Sequence, residues 1–136
     1  MVNPFSLPGV NYFGRGALEN LTAELRNFHA KRVFLISDHG VAAAGLVDLV
    51  QTKIDETGAE AVLYLDVNPE PTVEELDQCL AVYREKECDL IIGLGGGSPL
   101  DVAKGVSILA TCGGSILNYV GLNLVPRKGI PKFLIP

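Results

Sequence analysis

The chain has 136 residues, 48% of them hydrophobic and 20% charged, with a formal net charge of −5. That is one domain's length, long enough to bury a real core, and the composition excludes a disordered chain. The acidic balance, without any basic run, disfavours partnership with nucleic acid or an anionic membrane, and no apolar run reaches the ~18 residues of a membrane span.

Leu18, Leu21, Leu25 and Phe28 recur at helical spacing and predict a first helix with one buried face. Arg32–Ser37 is a short, continuous apolar run and predicts a strand. Val47, Val50 and Ile54 predict a second helix, ended by Gly58 as a C′ glycine. Ala61–Leu65 predicts the second strand. Thr72-Val73-Glu74-Glu75 then reads as a capping box, followed by a buried stripe of Val73, Leu76, Leu80 and Tyr83. Acids open that helix, and Arg84 and Lys86 close it, as the helix dipole favours. Asp89–Leu94 predicts a third strand and Lys132–Ile135 a last one. The runs are continuous rather than alternating, which suits strands covered on both faces. The first three are separated by roughly 30 residues, the length of a βαβ unit. The expected fold is α/β, a parallel sheet with helices on both faces and right-handed crossovers. A core strand at the very end of the chain, Phe133-Leu134-Ile135-Pro136, leads us to expect a longer protein.

The chemistry concentrates after the third strand, in Gly93-Leu94-Gly95-Gly96-Gly97-Ser98-Pro99-Leu100-Asp101. Consecutive glycines leave backbone N–H groups unobstructed. Ser98 reads as an N-cap and Pro99 as the first residue of a helix running to about Thr111, with Asp101 completing a short-armed capping box. The free N–H groups and dipole of that helix make an anion site suited to a phosphate or pyrophosphate. The spacing is neither the dinucleotide G-x-G-x-x-G nor a Walker A loop. Asp38, at the end of the first strand, is placed either to accept from both ribose hydroxyls, favouring NAD over NADP, or simply to cap the next helix. Glu70, in Asn68-Pro69-Glu70-Pro71-Thr72, lies on the same rim, in a turn that its prolines already explain. Lys104 can approach a phosphate or pair with Asp101. His29 and His39 are the only histidines, and with no metal-ligand spacing no metal site can be assembled. Cys79, Cys88 and Cys112 form no CxxC pair and read as free thiols of a reducing, cytoplasmic compartment. Ser98 lacks a base partner and a G-x-S-x-G elbow, so no nucleophilic catalysis is expected.

Gly95-Gly96-Gly97-Ser98-Pro99-Leu100-Asp101-Val102-Ala103-Lys104 resembles the glycine motif of the iron-containing (group III) alcohol dehydrogenases. Other matches run along almost the whole chain. Phe13-Gly14-Arg15-Gly16 resembles the family's opening strand-turn, Ser37-Asp38 its first-strand acid, and Pro69-Glu70-Pro71-Thr72 its Pro-Asn-Pro-Thr turn. Phe133-Leu134-Ile135-Pro136 is similar to the strand before its second cofactor motif. The resemblance implies a Rossmann-like, N-terminal dinucleotide-binding domain over residues 1–136. The pyrophosphate would lie on Gly95, Gly96, Gly97 and Ser98, the adenosine ribose on Asp38, Glu70 near the cofactor, and Asp101 as support for the loop. It also implies NAD as cofactor and Fe2+ held by one Asp and three His of a helical C-terminal domain outside this chain. Small alcohols or aldehydes would be substrates, and the full-length enzyme a homo-oligomer. No residue here is expected to be catalytic, and the chain alone is expected to be inactive. Two alternatives stay open: a relative of the glycerol dehydrogenase or dehydroquinate synthase type, and a non-catalytic nucleotide-binding module.

Overall fold

A computed structural model describes residues 10–119 and 129–136. Its centre is a four-stranded sheet of β1 (Arg32–Ile36), β2 (Glu60–Tyr64), β3 (Leu90–Leu94) and β4 (Lys132–Ile135). The order is β2-β1-β3-β4 and every pairing is parallel. The helices are α1 (Leu21–Asn27), α2 (His39–Ala43), α3 (Leu46–Asp55), α4 (Val73–Glu85) and α5 (Gly97–Cys112). Short 3-10 turns, Ala17–Asn20 and Ile116–Tyr119, precede α1 and follow α5.

Alternation along β1 and β3 divides the core in two, because successive strand side chains point to opposite faces. Phe34, Ile36 and Ile91 pack with Leu76, Cys79, Leu80 and Tyr83 of α4 and Val102, Val106 and Leu109 of α5. Val33, Leu35, Leu90, Ile92 and Leu94 pack on the other face with Leu21 and Leu25 of α1 and Val47, Val50 and Ile54 of α3. Helices therefore cover both faces, as the continuous apolar runs predict. Each fully buried Leu, Ile or Phe contributes roughly 1.5–3 kcal/mol. Phe34 also stacks on Tyr83, with ring centroids 5.6 Å apart and planes 13° from parallel.

The capping box of α4 forms as expected. Thr72 Oγ1 accepts from Glu75 N, and Glu75 accepts from Thr72 N. Other expectations need correction. β2 and β4 are the sheet's edges, so their apolar runs are only partly covered, and Leu63 is 39% exposed. Sequence shows a strand's composition but not its place in the order. Phe28 is half exposed because α1 stops one residue before it, and its ring meets Phe133 edge-on at 5.5 Å. Gly58 does adopt a positive φ of 83°, but it lies two residues past the C-cap of α3, Glu56, rather than one. At the N-terminal side, Gly14 and Gly16 form a turn at φ 103° and 80°. Residues 10–13 are not a strand, and those before them lie outside the described residues.

Cys79 and Cys88 are buried and no described cysteine is in a disulfide. Burial pushes the Cys79 thiol up to about 12 and the Cys88 thiol up to about 11. Neither is a nucleophile near neutral pH. No helix among the described residues is long and apolar enough to cross a membrane.

Candidate functional site

The chain leaves β1 for β2 on one side, then crosses back so that β3 lies on the other. In open parallel α/β sheets the connections diverge at such a switch point, and a crevice opens beyond the strands' carboxyl ends. Here a cavity of about 470 Å³ occupies that place, lined by Asp38, His39, Gly40, Val67, Asn68, Pro69, Gly96, Gly97, Ser98 and Pro99. Its size falls within the range of small-molecule and cofactor sites.

The glycines after Ile92 serve different ends. At Gly93, inside β3, a Cβ would lie 2.8 Å from Ala103 Cβ, so α5 can approach the sheet only because the side chain is missing. Gly95 has φ 128°, a backbone state that side chains rarely adopt, and its N–H is held by Ile135 O at 3.0 Å. Gly96 and Gly97 need neither excuse. Gly96 has φ −76°, Gly97 starts α5, and a Cβ on either would meet nothing within 4 Å. The fold would accept a side chain at both positions. What glycine preserves there is open space against the cavity.

α5 begins at Gly97 with Gly96 as its N-cap, and no side chain caps it. Ser98 is therefore not the N-cap, nor is Pro99 the first helical residue, and Ser98 and Asp101 form no capping box. Proline is tolerated throughout a first turn because those N–H groups have no partner within the helix anyway. Ser98 turns its hydroxyl away from its own helix and donates to Pro69 O. Leu100 N reaches Gly96 O at 3.4 Å. The N–H groups of Gly96, Gly97 and Ser98 meet no acceptor among the described residues. Three consecutive free donors at a helix N-terminus make an anion site. No described Lys or Arg lines the cavity. Lys104 pairs instead with Asp101 at 3.6 Å, and Asp101 lines a separate cavity of about 150 Å³ with Pro71, Thr72, Val73, Leu76, Val102 and Ile116.

The other walls come from the ends of β1 and β2. Ser37 is fully buried and donates to Leu94 O at 2.7 Å, tying the tip of β1 to that of β3. Asp38 caps α2, with Oδ1 accepting from Val41 N at 2.8 Å. Its Oδ2 accepts nothing among the described residues, so capping does not exhaust the carboxylate. His39 Nε2 lies 2.8 Å from Asp66 Oδ1, joining the ends of β1 and β2. Asn68 donates to Glu75, which thereby steadies the turn as well as capping α4.

The structure thus brings Asp38, Gly96, Gly97 and Ser98 together around one cavity. Gly95 shapes the loop from behind. Glu70 is exposed and does not line the cavity, and Asn68 and Pro69 of the same turn take that place. His39, Gly40, Val67, Asn68, Pro69 and Pro99 also line the cavity, although spacing did not mark them as site residues. For His39, Gly40, Val67, Asn68 and Pro69 the signals are their position just after β1 or β2 and, for Pro69, the Pro-Glu-Pro-Thr turn. Among the described residues no three His, Cys, Asp or Glu gather to hold a metal ion, and the resemblance places the iron's ligands outside this chain.

Order of strands, crevice and glycine loop together define a Rossmann-like α/β domain with a crevice at its switch point. The family model for iron-containing alcohol dehydrogenase matches residues 8–136, and the chain belongs to that family. It is similar to long-chain-alcohol dehydrogenase 1 of Geobacillus thermodenitrificans, 39% identical over 132 residues, which are 95% of this chain and 33% of the relative. Among solved structures it resembles 1,3-propanediol oxidoreductase, with a TM-score of 0.92 and 30% identity over 98% of this chain and 35% of the other. It also resembles NADH-dependent butanol dehydrogenase A of Thermotoga maritima, with a TM-score of 0.84 and 26% identity over 98% of this chain and 34% of that one. The chain spans about a third of the length of these relatives.

Proposed function

We propose that the crevice binds NAD(H) and that this chain is the cofactor-holding part of a metal-dependent dehydrogenase for small alcohols and aldehydes. One observation carries the reading. Gly96 and Gly97 are required neither by backbone conformation nor by packing, yet with Ser98 they present three N–H groups that have no partner among the described residues, on the cavity wall. A pyrophosphate explains both features, because its oxygens need donors and a close backbone approach. The name of the NADH-dependent butanol dehydrogenase relative points the same way.

In this reading the N–H groups of Gly96, Gly97 and Ser98, with the α5 dipole, offset the pyrophosphate's charge. Asp38 Oδ2 accepts from the adenosine ribose and repels a 2′-phosphate. Ser37 holds the two strand tips at a set spacing beneath the ligand. The chemistry supplied when the cofactor is bound is hydride transfer, and the protein's share is orientation and electrostatics. A helical metal-binding domain beyond these residues would close the alcohol side. Calorimetric titration of the 136-residue chain with ADP-ribose tests the cofactor site without need of that domain. Saturable one-to-one binding is expected, and absence of binding at millimolar ligand refutes the proposal.

A further inference from the structure

Ser98 is the residue at which sequence pattern and structure diverge most, and its hydroxyl has a specific occupation. It donates to Pro69 O, across the crevice from α5 to the turn between β2 and α4. Among the described residues no other hydrogen bond crosses from α5 to that turn. The turn's other anchors lead back to its own helix, Asn68 to Glu75 and Thr72 to Glu75. Val67, Asn68 and Pro69 form the cavity wall facing Gly96 and Gly97. A hydroxyl has one proton to give. With that proton on Pro69 O, the oxygen presents only lone pairs to the crevice, and lone pairs do not attract an anion.

We infer that the Ser98 side chain is a positioning group: it does not bind the pyrophosphate but ties the Val67–Pro71 turn to α5 and so sets the width of the crevice. This rests on the reading of the crevice as a dinucleotide site. The anion is left to backbone N–H groups, which no side-chain substitution removes. Untying the turn lowers the fraction of molecules with the wall in place, and the apparent affinity for a ligand that uses this wall falls by that fraction.

The test compares the wild-type chain with Ser98→Ala and Ser98→Thr, which removes and keeps a hydroxyl respectively. Backbone 15N relaxation of the Val67, Asn68 and Glu70 amides reads the tie without any ligand. Titrations with inorganic pyrophosphate and ADP-ribose read its consequence. In Ser98→Ala, the order parameters of these amides fall from about 0.85 toward the flexible range below about 0.6. ADP-ribose then binds about fivefold more weakly, the worth of one ordinary hydrogen bond. Pyrophosphate binds as in the wild type, and Ser98→Thr restores both signals. Unchanged order parameters in Ser98→Ala overturn the tie. A loss of pyrophosphate affinity matching that of ADP-ribose overturns the positioning role and makes the hydroxyl an anion ligand. Should wild-type chain bind neither ligand, the cofactor reading fails, and the relaxation result still upholds or overturns the tie.

Discussion

Substituting the glycines one at a time separates those that build the fold from those that leave room for a ligand. In Gly97→Ala the new methyl meets no protein atom within 4 Å, and the residue already lies in α5. Replacing a glycine by alanine where the backbone allows it stabilises by about 0.4–1 kcal/mol, because the unfolded chain loses freedom. If the crevice holds a pyrophosphate as proposed, the same methyl stands where a phosphate oxygen comes within hydrogen-bond distance of the backbone. Losing one charge-assisted hydrogen bond costs about 1.5–3 kcal/mol, between about tenfold and about a hundredfold in affinity. Gly93→Ala should behave oppositely. Its methyl would lie 2.8 Å from Ala103 Cβ and 3.4 Å from Leu100 Cδ2 and Leu134 Cδ2. Overpacking of that kind costs about 1–3 kcal/mol. Urea denaturation and NADH titration of both variants form the assay. Gly97→Ala should unfold at equal or higher urea and bind NADH poorly, while Gly93→Ala should unfold at lower urea. If Gly97→Ala is destabilised as much as Gly93→Ala, or binds NADH like the wild type, the reasoning is wrong.

Two further predictions concern single side chains. Asp38→Gly sacrifices only a few tenths of a kcal/mol of capping, since glycine is itself acceptable at an N-cap. It should weaken NADH about tenfold, as expected for a lost charge-assisted hydrogen bond, and strengthen NADPH. Unchanged affinities for both would make Asp38 a helix cap alone. Cys79 sets an alkaline limit. Its thiol ionises at about 12 in the folded chain against 9.0 ordinarily, because burial disfavours the thiolate. The unfolded chain therefore releases that proton first. The Cys79 contribution to stability is constant below pH 9 and falls above it by about 1.4 kcal/mol per pH unit until about pH 12, with Cys88 adding its own loss from pH 9 to about 11. Cys79→Ala loses core packing at every pH but should flatten this slope in urea midpoints measured from pH 8 upward, and an unchanged slope would assign alkaline loss to other groups such as Tyr83.

What could be read in the sequence was what is local. The apolar runs of β1 and β3, the stripe of α3 and the Thr72–Glu75 box each depend on a few neighbouring residues, and each is found where expected. The start of α5 departs from expectation because Ser-Pro carries two strong N-terminal signals, and only the tertiary position of Pro69 draws the serine hydroxyl elsewhere. The edge status of β2 and β4 likewise depends on strand order, which no short window contains. At the site, Asp38 and the glycines were marked by type and spacing. Asn68 and Pro69 were not, because their contribution to the cavity arises from the return of the chain across β1. Glu70, which only the family resemblance places near the cofactor, does not line the cavity, while its neighbours Asn68 and Pro69 do.

The tie between Ser37 and Leu94 has a consequence for how such a crevice can be altered. On that side the tip of β1 is held to β3 by the buried hydroxyl and to β2 by Ser37 N on Tyr64 O at 2.9 Å, while Gly95 N is held by Ile135 O. This is the fixed jaw of a wrench, continuous with the core. The opposite jaw is a surface turn, joined to α5 across the gap by a single hydroxyl. Changes to Ser37 or Gly95, which hold the fixed jaw together, register first as lost stability and only then as altered binding. Changes in Asn68 or Pro69 alter the grip while the sheet is untouched, so on the proposed reading nucleotide preference can drift by substitution in the turn without passing through an unfolded variant.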